Sequence, residues 1–201
     1  MPIEKGQDWG YDGSLSAGAP VIGSDRDAAR LVEQGLPDHL PVSVGLVAGD
    51  LARTLGVRES FDPHQGTFLL PVDAVRIQLD DESEHIAAAH AIIGNPVADR
   101  HVVVVMNAAF IGKYNVAPRS HPGDGKADVV TFRLRFSDRF KATQRMASGS
   151  HLPHPDIALR QRSDGSVQMD RPRPVWIDGR RVGRSRTMQF TVLPDAMLIA
   201  V

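Results

Sequence analysis

The sequence predicts a mainly β fold, an antiparallel β-sandwich over residues 69–201 preceded by a small α/β segment over residues 1–68. Three observations carry this. From residue 69 onward, short β-branched stretches are separated by Gly, Pro and Asp-Gly turn signals, the spacing of a sandwich. Val102 to Val105 is an unbroken apolar run of the kind a buried strand needs. Asp73 to Leu79 alternates with a period of 2, which suits a half-buried strand.

The elements follow in order. Residues 1–20 are rich in Gly, Ser, Asp and Pro and read as an irregular arm, with Trp9 as an anchor and Tyr11-Asp12-Gly13-Ser14 as a turn. Val21-Ile22 reads as a short strand. Ser24-Asp25 supplies an N-cap, and Ala28, Ala29, Leu31 and Val32 form one apolar face up to a stop at Gly35. A strand over Val42 to Val47 and a helix over Leu51 to Leu55 come next, then a loop over residues 59–68. His85 to Ile93 is Ala-rich and compatible with helix or strand. Ser137 to Ala147 reads as a capped amphipathic helix with Phe140, Thr143 and Met146 or Ala147 facing inward. Strands are expected at Ile157 to Gln161, Ser166 to Met169, Pro174 to Ile177, Met188 to Val192 and Ala196 to Val201. Asp178-Gly179 is placed as a hairpin turn.

Composition narrows the function. The chain has 201 residues and no cysteine, which excludes disulfides and thiolate metal sites. No apolar run reaches membrane-span length, and the N-terminus lacks the apolar core of a signal peptide. A cytoplasmic location is the expectation, with peripheral membrane association compatible with it; no nucleic-acid role is expected. The net charge of -1 hides an asymmetry: residues 1–100 carry 16 acidic and 7 basic side chains, and residues 101–201 carry 8 and 16. A basic C-terminal half suits an anionic lipid or a phosphorylated small molecule. It equally suits attraction between the two halves, a second copy or a partner protein.

Several motifs together resemble a known family. Asn107, Gly112, Ala117-Pro118, Asp124-Gly125 and Asp128 resemble the N-x-x-x-x-G, A-P and D-G-x-x-D signature of the diacylglycerol kinase and YegS-type bacterial lipid kinases. Gly49, Asp50, Ala52, Arg53, Leu55 and Gly56 are similar to that family's P-L-G-T-x-N-D-x-A-R-x-L-G segment, with the Thr and Asn before the aspartate missing. Gly149 to Pro155 and the text from Trp176 to Val201 match its G-x-H segment and its last hairpins. The resemblance implies the family's C-terminal sandwich with residues 1–68 as a remnant of the nucleotide-binding domain. Only 44 residues precede Gly45, and no G-G-D-G-T nucleotide motif is found among them. ATP binding in the family's manner is therefore not expected.

The resemblance also assigns candidate residues. It implies Asp178 as general base toward a lipid hydroxyl, although Asp178-Gly179 also reads as a type I′ turn. It implies a structural Mg²⁺ at Asp124, with the backbone carbonyls of His121 and Lys126, where an Asp-Gly turn without metal is the other reading. Gly49 and Asp50 are the remaining phosphate-loop positions. Arg180 stands where the family has Glu, and Arg180, Arg184 and Arg186 are expected to share a strand face and bind an anion. His151 and His154 have ligand spacing, but no carboxylate or Cys pattern completes a site. The expected function is a non-catalytic, stand-alone relative that binds an anionic lipid, a phosphorylated ligand or a partner. The alternatives are a lipid kinase completed by another chain or a rebuilt nucleotide loop, and a structural homo-oligomer.

Overall fold

The computed structural model describes residues 9–57, 62 and 67–201. Most of the loop expected over residues 59–68 lies outside them. The described elements are β1 (Tyr11–Gly13), β2 (Val21–Ile22), α1 (Asp25–Gly35), β3 (Val42–Leu46), α2 (Asp50–Leu55), β4 (Thr67–Leu79), β5 (Glu84–Ala87), β6 (His90–Ile93), β7 (Val102–Met106), β8 (Phe110–Ile111), β9 (Tyr114–Asn115), β10 (Ala127–Phe132), α3 (Phe136–Met146), β11 (Ile157–Arg162), β12 (Asp164–Ile177) and β13 (Arg180–Ala200). The fold is mainly β, as the sequence predicts.

One sheet runs β1-β4-β13-β12-β6-β7-β10-β11, with β5 beside β4 and β3 parallel to the end of β13. It folds over on itself. Val75 and Ile77 of β4, Val103 and Val105 of β7, and Val175, Met188 and Phe190 of the β12–β13 hairpin share the interlayer core. The alternate residues of β7, Val102, Val104 and Met106, face a second core with Phe132, Leu134 and Ala142. This is why Val102 to Val105 is apolar without alternation: both faces of the strand are covered. Each valine buried this way contributes roughly 1.5–3 kcal/mol.

The N-terminal segment adds a β2-α1-β3 unit with β2 and β3 parallel. Ser24 caps α1 by accepting the Asp27 N–H at 3.2 Å. Ala28, Ala29 and Val32 pack α1 on β3 and on the ends of β4 and β13. Trp9 anchors the arm, donating its indole N–H to the Pro71 carbonyl at 2.9 Å and lying against His121.

Three local readings are corrected, and the one left open between helix and strand, His85 to Ile93, is strand. Tyr11–Gly13 is a strand rather than a turn, because the edge of β4 offers it a hydrogen-bonding partner over Thr67 to Leu69. His85 to Ile93 is two strands that break at Ala88-Ala89. The strand pairs read separately in the C-terminal third are two long strands with register shifts, β12 between Gln168 and Arg173 and β13 between Leu193 and Met197. Helix α3 begins at Phe136 without a side-chain cap, and only part of the expected face is inward. Ala142 is buried, Met146 is half-buried and Phe140 is 68% exposed. The i, i+4 pair of Ala142 and Met146 sets the phase.

Candidate functional site

The motif segments from distant parts of the chain meet beside the β12–β13 turn. Asp50 opens α2 and accepts the Gly112 N–H through Oδ1 at 2.7 Å. Arg53, one turn later, donates to the Gly112 carbonyl at 2.7 Å and covers the Phe110 ring. Thr54 accepts the Ala109 N–H at 2.9 Å. The three polar side chains of α2 thus clamp the β8–β9 hairpin and the residue before it. Asn107, fully buried, donates to the carbonyls of Asp73 and Ala88, both at 2.8 Å, and ties β4 to the β5–β6 break.

Asp178 sits at the tip of the hairpin. Its φ is 45° and that of Gly179 is 74°, and Ile177 pairs with Arg180, so the two residues form a type I′ turn. The carboxylate does more than shape the turn. Oδ2 accepts the Ala88 N–H at 2.8 Å, and Oδ1 accepts the N–H groups of Ala89 at 3.0 Å and His90 at 2.9 Å. Two of these amides belong to the β5–β6 break and the third to the first residue of β6. Burial pushes the Asp178 carboxyl up to about 6, the three amides oppose the rise, and Asp50 adds repulsion.

Two residues of this site were not singled out from sequence. Asp25, at the start of α1, reaches the start of α2: its carboxylate accepts the N–H of Asp50 at 2.7 Å and of Leu51 at 3.0 Å. Gly49 makes room, because a Cβ there would stand 2.5 Å from Asp25 Oδ1. Burial pushes Asp25 up to about 6 despite these bonds. His90 is buried with Nδ1 3.6 Å from Asp50 Oδ2. Burial holds the imidazole below its ordinary range and the Asp50 carboxyl above its own. Asp25 followed a short strand and a cap and read as helix capping. His90 stood alone in an Ala-rich run.

The N–H donors that follow Gly49, those of Asp50 and Leu51, are therefore already occupied by an anion of the chain itself. The arginines divide as well. A register shift between Val175 and Trp176 sets Ile177 opposite Arg180, Trp176 opposite Arg181, Val175 opposite Gly183 and Pro174 opposite Arg184. Cross-strand partners share a face, so Arg180 lies on the face of Gly183, and Arg181 and Arg184 lie on the other. The expected common face for Arg180, Arg184 and Arg186 is corrected accordingly. Arg184 donates to the Pro172 carbonyl at 2.8 Å and Arg186 to the Met169 carbonyl at 3.3 Å, both on β12. Arg180 instead lines a cleft of about 230 Å³ with Asp178, Arg26, Arg30 and His85. Arg30 pairs with Asp27 at 3.3 Å.

Asp124 bends its own loop, accepting the Lys126 N–H at 3.0 Å. Nearby, Asp73 is fully buried and accepts the N–H groups of Gly125 at 2.7 Å and Asp195 at 2.9 Å. Burial pushes Asp73 up to about 6, with repulsion from Asp124 adding to it. Asp128 is raised by the same two causes in the same order, and its Oδ1 is buried without a hydrogen-bond partner. Among the described residues no three side chains form a metal-holding group. His151 is buried with Nε2 3.1 Å from the Val116 carbonyl and ties its segment to the β9 end, while His154 accepts the Asp156 N–H at 3.1 Å within its own turn.

An apolar pocket of about 340 Å³ lies between α3 and the sheet, lined by Ile92, Val104, Val116, Phe132, Leu134 and Met146. Arg100 and the 78% exposed Val97 also line it. Among the described residues no helix is long and apolar enough to cross a membrane.

A family model described as the YegS C-terminal NAD kinase beta sandwich-like domain matches residues 71–201. No curated protein matches the chain. Solved structures share the fold. A candidate diacylglycerol kinase from Bacillus anthracis str. Sterne is 13% identical, with a TM-score of 0.65 over 90% of this chain and 76% of that one. A second structure, of a diacylglycerol kinase from the same strain, is 14% identical, with a TM-score of 0.64 over 90% and 74%.

Proposed function

The chain belongs to the YegS C-terminal NAD kinase beta sandwich-like family, and from that premise we propose that it binds an anionic lipid without itself transferring phosphate. The apolar pocket beneath α3 carries this reading. Its volume of about 340 Å³ and its aliphatic lining suit an acyl chain. Arg26 and Arg180, which have no partner among the described residues, share the cleft beside Asp178 and suit a phosphate. Strand β6 links the two places: the His90 carbonyl accepts the Asp178 N–H, and Ile92, about 7 Å along the strand, lines the pocket. Exposed Val97 at the pocket and exposed Phe140 on α3 suit contact with a membrane surface.

Two features argue against phosphoryl transfer. Asp25 fills the anion seat at the start of α2 with a carboxylate, so ATP phosphates meet negative charge there. Asp178 spends its carboxylate on three backbone amides. A kinase reading has one observation in its favour: a carboxyl raised to about 6 is suited to act as a base near neutrality.

Co-sedimentation with vesicles tests the proposal. The protein is expected to pellet with phosphatidic acid vesicles and not with phosphatidylcholine alone. Met146→Trp, which fills the pocket, and the double change Arg26→Glu, Arg180→Glu should each weaken binding about tenfold, only the latter removing its salt dependence. Equal binding by wild type and both variants would sink the lipid reading. Incubation with labelled ATP, Mg²⁺ and diacylglycerol is expected to give no phospholipid. A product lost in Asp178→Asn would establish the kinase reading instead.

The Asp124 loop gives a further proposal. A hard cation suits Asp124 together with the orphaned Asp128 oxygen and the carbonyls of His121 and Lys126. Bound Mg²⁺ would relieve repulsion among Asp73, Asp124 and Asp128 and serve structure, not chemistry. At 100 times its dissociation constant it stabilises by about 2.7 kcal/mol. A melting temperature that rises with millimolar Mg²⁺ in wild type and not in Asp124→Ala is expected. A wild type insensitive to Mg²⁺ leaves only the turn.

A further inference from the structure

We propose that the outer edge of β11 is a docking site for an extended acidic segment of a partner protein, which adds to the sheet as a strand. The edge lies on the far side of the sheet order from β1, and β11 pairs only with β10 among the described strands. Its residues divide by face. Ile157 and Leu159 pack into the core under α3. Ala158, Arg160 and Arg162 face the other way, opposite Thr131, Val129 and Ala127 of β10.

That second face opens into a groove of about 630 Å³. Its far wall is the first part of β12, where Gly165 pairs with Phe190. Over Asp164 to Gln168, β12 pairs only with β13 among the described strands. The groove therefore lies between two strand edges whose backbone N–H and C=O groups face outward, the feature that strand addition uses. Val129, Val167 and Phe190 form its base. Arg133, Arg160 and Arg162 line its mouth, and among the described residues their side chains have no hydrogen-bond or ion-pair partner.

The charges choose the occupant. Asp156 and Asp164 also line the groove, and three arginines outnumber them. A second copy of the same edge would set Arg160 and Arg162 against their counterparts, and like charges facing across strands are destabilising. An acidic strand does the reverse. Arg160 and Arg162 lie two residues apart on one face, about 7 Å. The matching segment carries Asp or Glu at every second position, with apolar residues between them that extend the Ile157 and Leu159 surface.

Fluorescence anisotropy tests this with a labelled hexapeptide in which Glu alternates with Val. The wild-type protein is expected to bind it, and Arg160→Glu, Arg162→Glu to weaken it tenfold or more. The same variant should gain binding to a Lys-Val hexapeptide that the wild type does not bind. A Glu-Val peptide interrupted by proline should bind tenfold more weakly than the uninterrupted one, because proline removes ladder donors. Circular dichroism checks that the variant is folded. No binding of the Glu-Val peptide, equal binding by wild type and variant, or equal binding of the proline peptide would each overturn the proposal.

Discussion

Replacing Asp178 with alanine lowers the unfolding free energy by roughly 3–5 kcal/mol at neutral pH, because it orphans several enclosed amide donors at once. The carboxylate accepts the N–H groups of Ala88, Ala89 and His90. No other strand takes these amides: Ala88 and Ala89 lie between β5 and β6, and His90, which opens β6, gives its N–H to the same carboxylate. Water reaching the vacated space holds the loss to that range rather than the sum of three full penalties. Asparagine is the control. It tolerates the φ of 45° and keeps one acceptor oxygen, so Asp178→Asn should lose about half as much. Urea unfolding at constant slope measures both. An alanine variant within 1 kcal/mol of wild type would show that the turn holds without the carboxylate.

This role was half legible in the sequence. Asp-Gly between two β-branched runs announces a type I′ hairpin, and the turn is there. What the text of the chain does not display is the second partner. Ala88 and Ala89 look like helix formers, and nothing in their side chains shows that a residue about ninety positions later takes their amides. The same limit hid Asp25. Its position after Ser24 predicted the start of α1 correctly, but its contact is with α2, fixed by how α1 packs on β3. Composition and periodicity report faces and ends of elements. They do not report which end meets which.

The arginines show the limit at finer scale. Regular alternation places Arg180, Arg184 and Arg186 together, and one register shift at Val175 and Trp176 separates Arg180 from Arg184. A single extra residue reverses a strand's facing because the period is 2. The helix expected over residues 137–147 is there with Met146 inward, but Phe140 is outside and Ala142 inside. By contrast, the strands of the sandwich were readable, because the four valines of β7 and the alternation of β4 each record how many of their faces are covered.

Ionisation of Asp178 predicts how its contribution changes with pH. Its carboxyl stands at about 6 in the folded protein against 3.8 ordinarily. Between these values the folded state holds more protons than the unfolded chain, so stability falls as pH rises through about 4 to 6 and is level above. The full difference corresponds to about 3 kcal/mol, and the partial exposure of the residue brings the expectation to about 1–3 kcal/mol. Asp25 and Asp73, also raised to about 6, act in the same direction. His90 opposes them: buried and neutral, it lets the unfolded chain take up a proton below 6.5 that the folded state refuses. The wild-type curve alone mixes these terms. The difference between wild type and Asp178→Asn isolates one of them, because asparagine does not titrate. Wild type should lose about 1–3 kcal/mol relative to the variant between pH 4 and pH 7. A difference that stays constant, or that grows in favour of wild type as pH rises, would mean that the three amides outweigh burial and hold the carboxylate ionised.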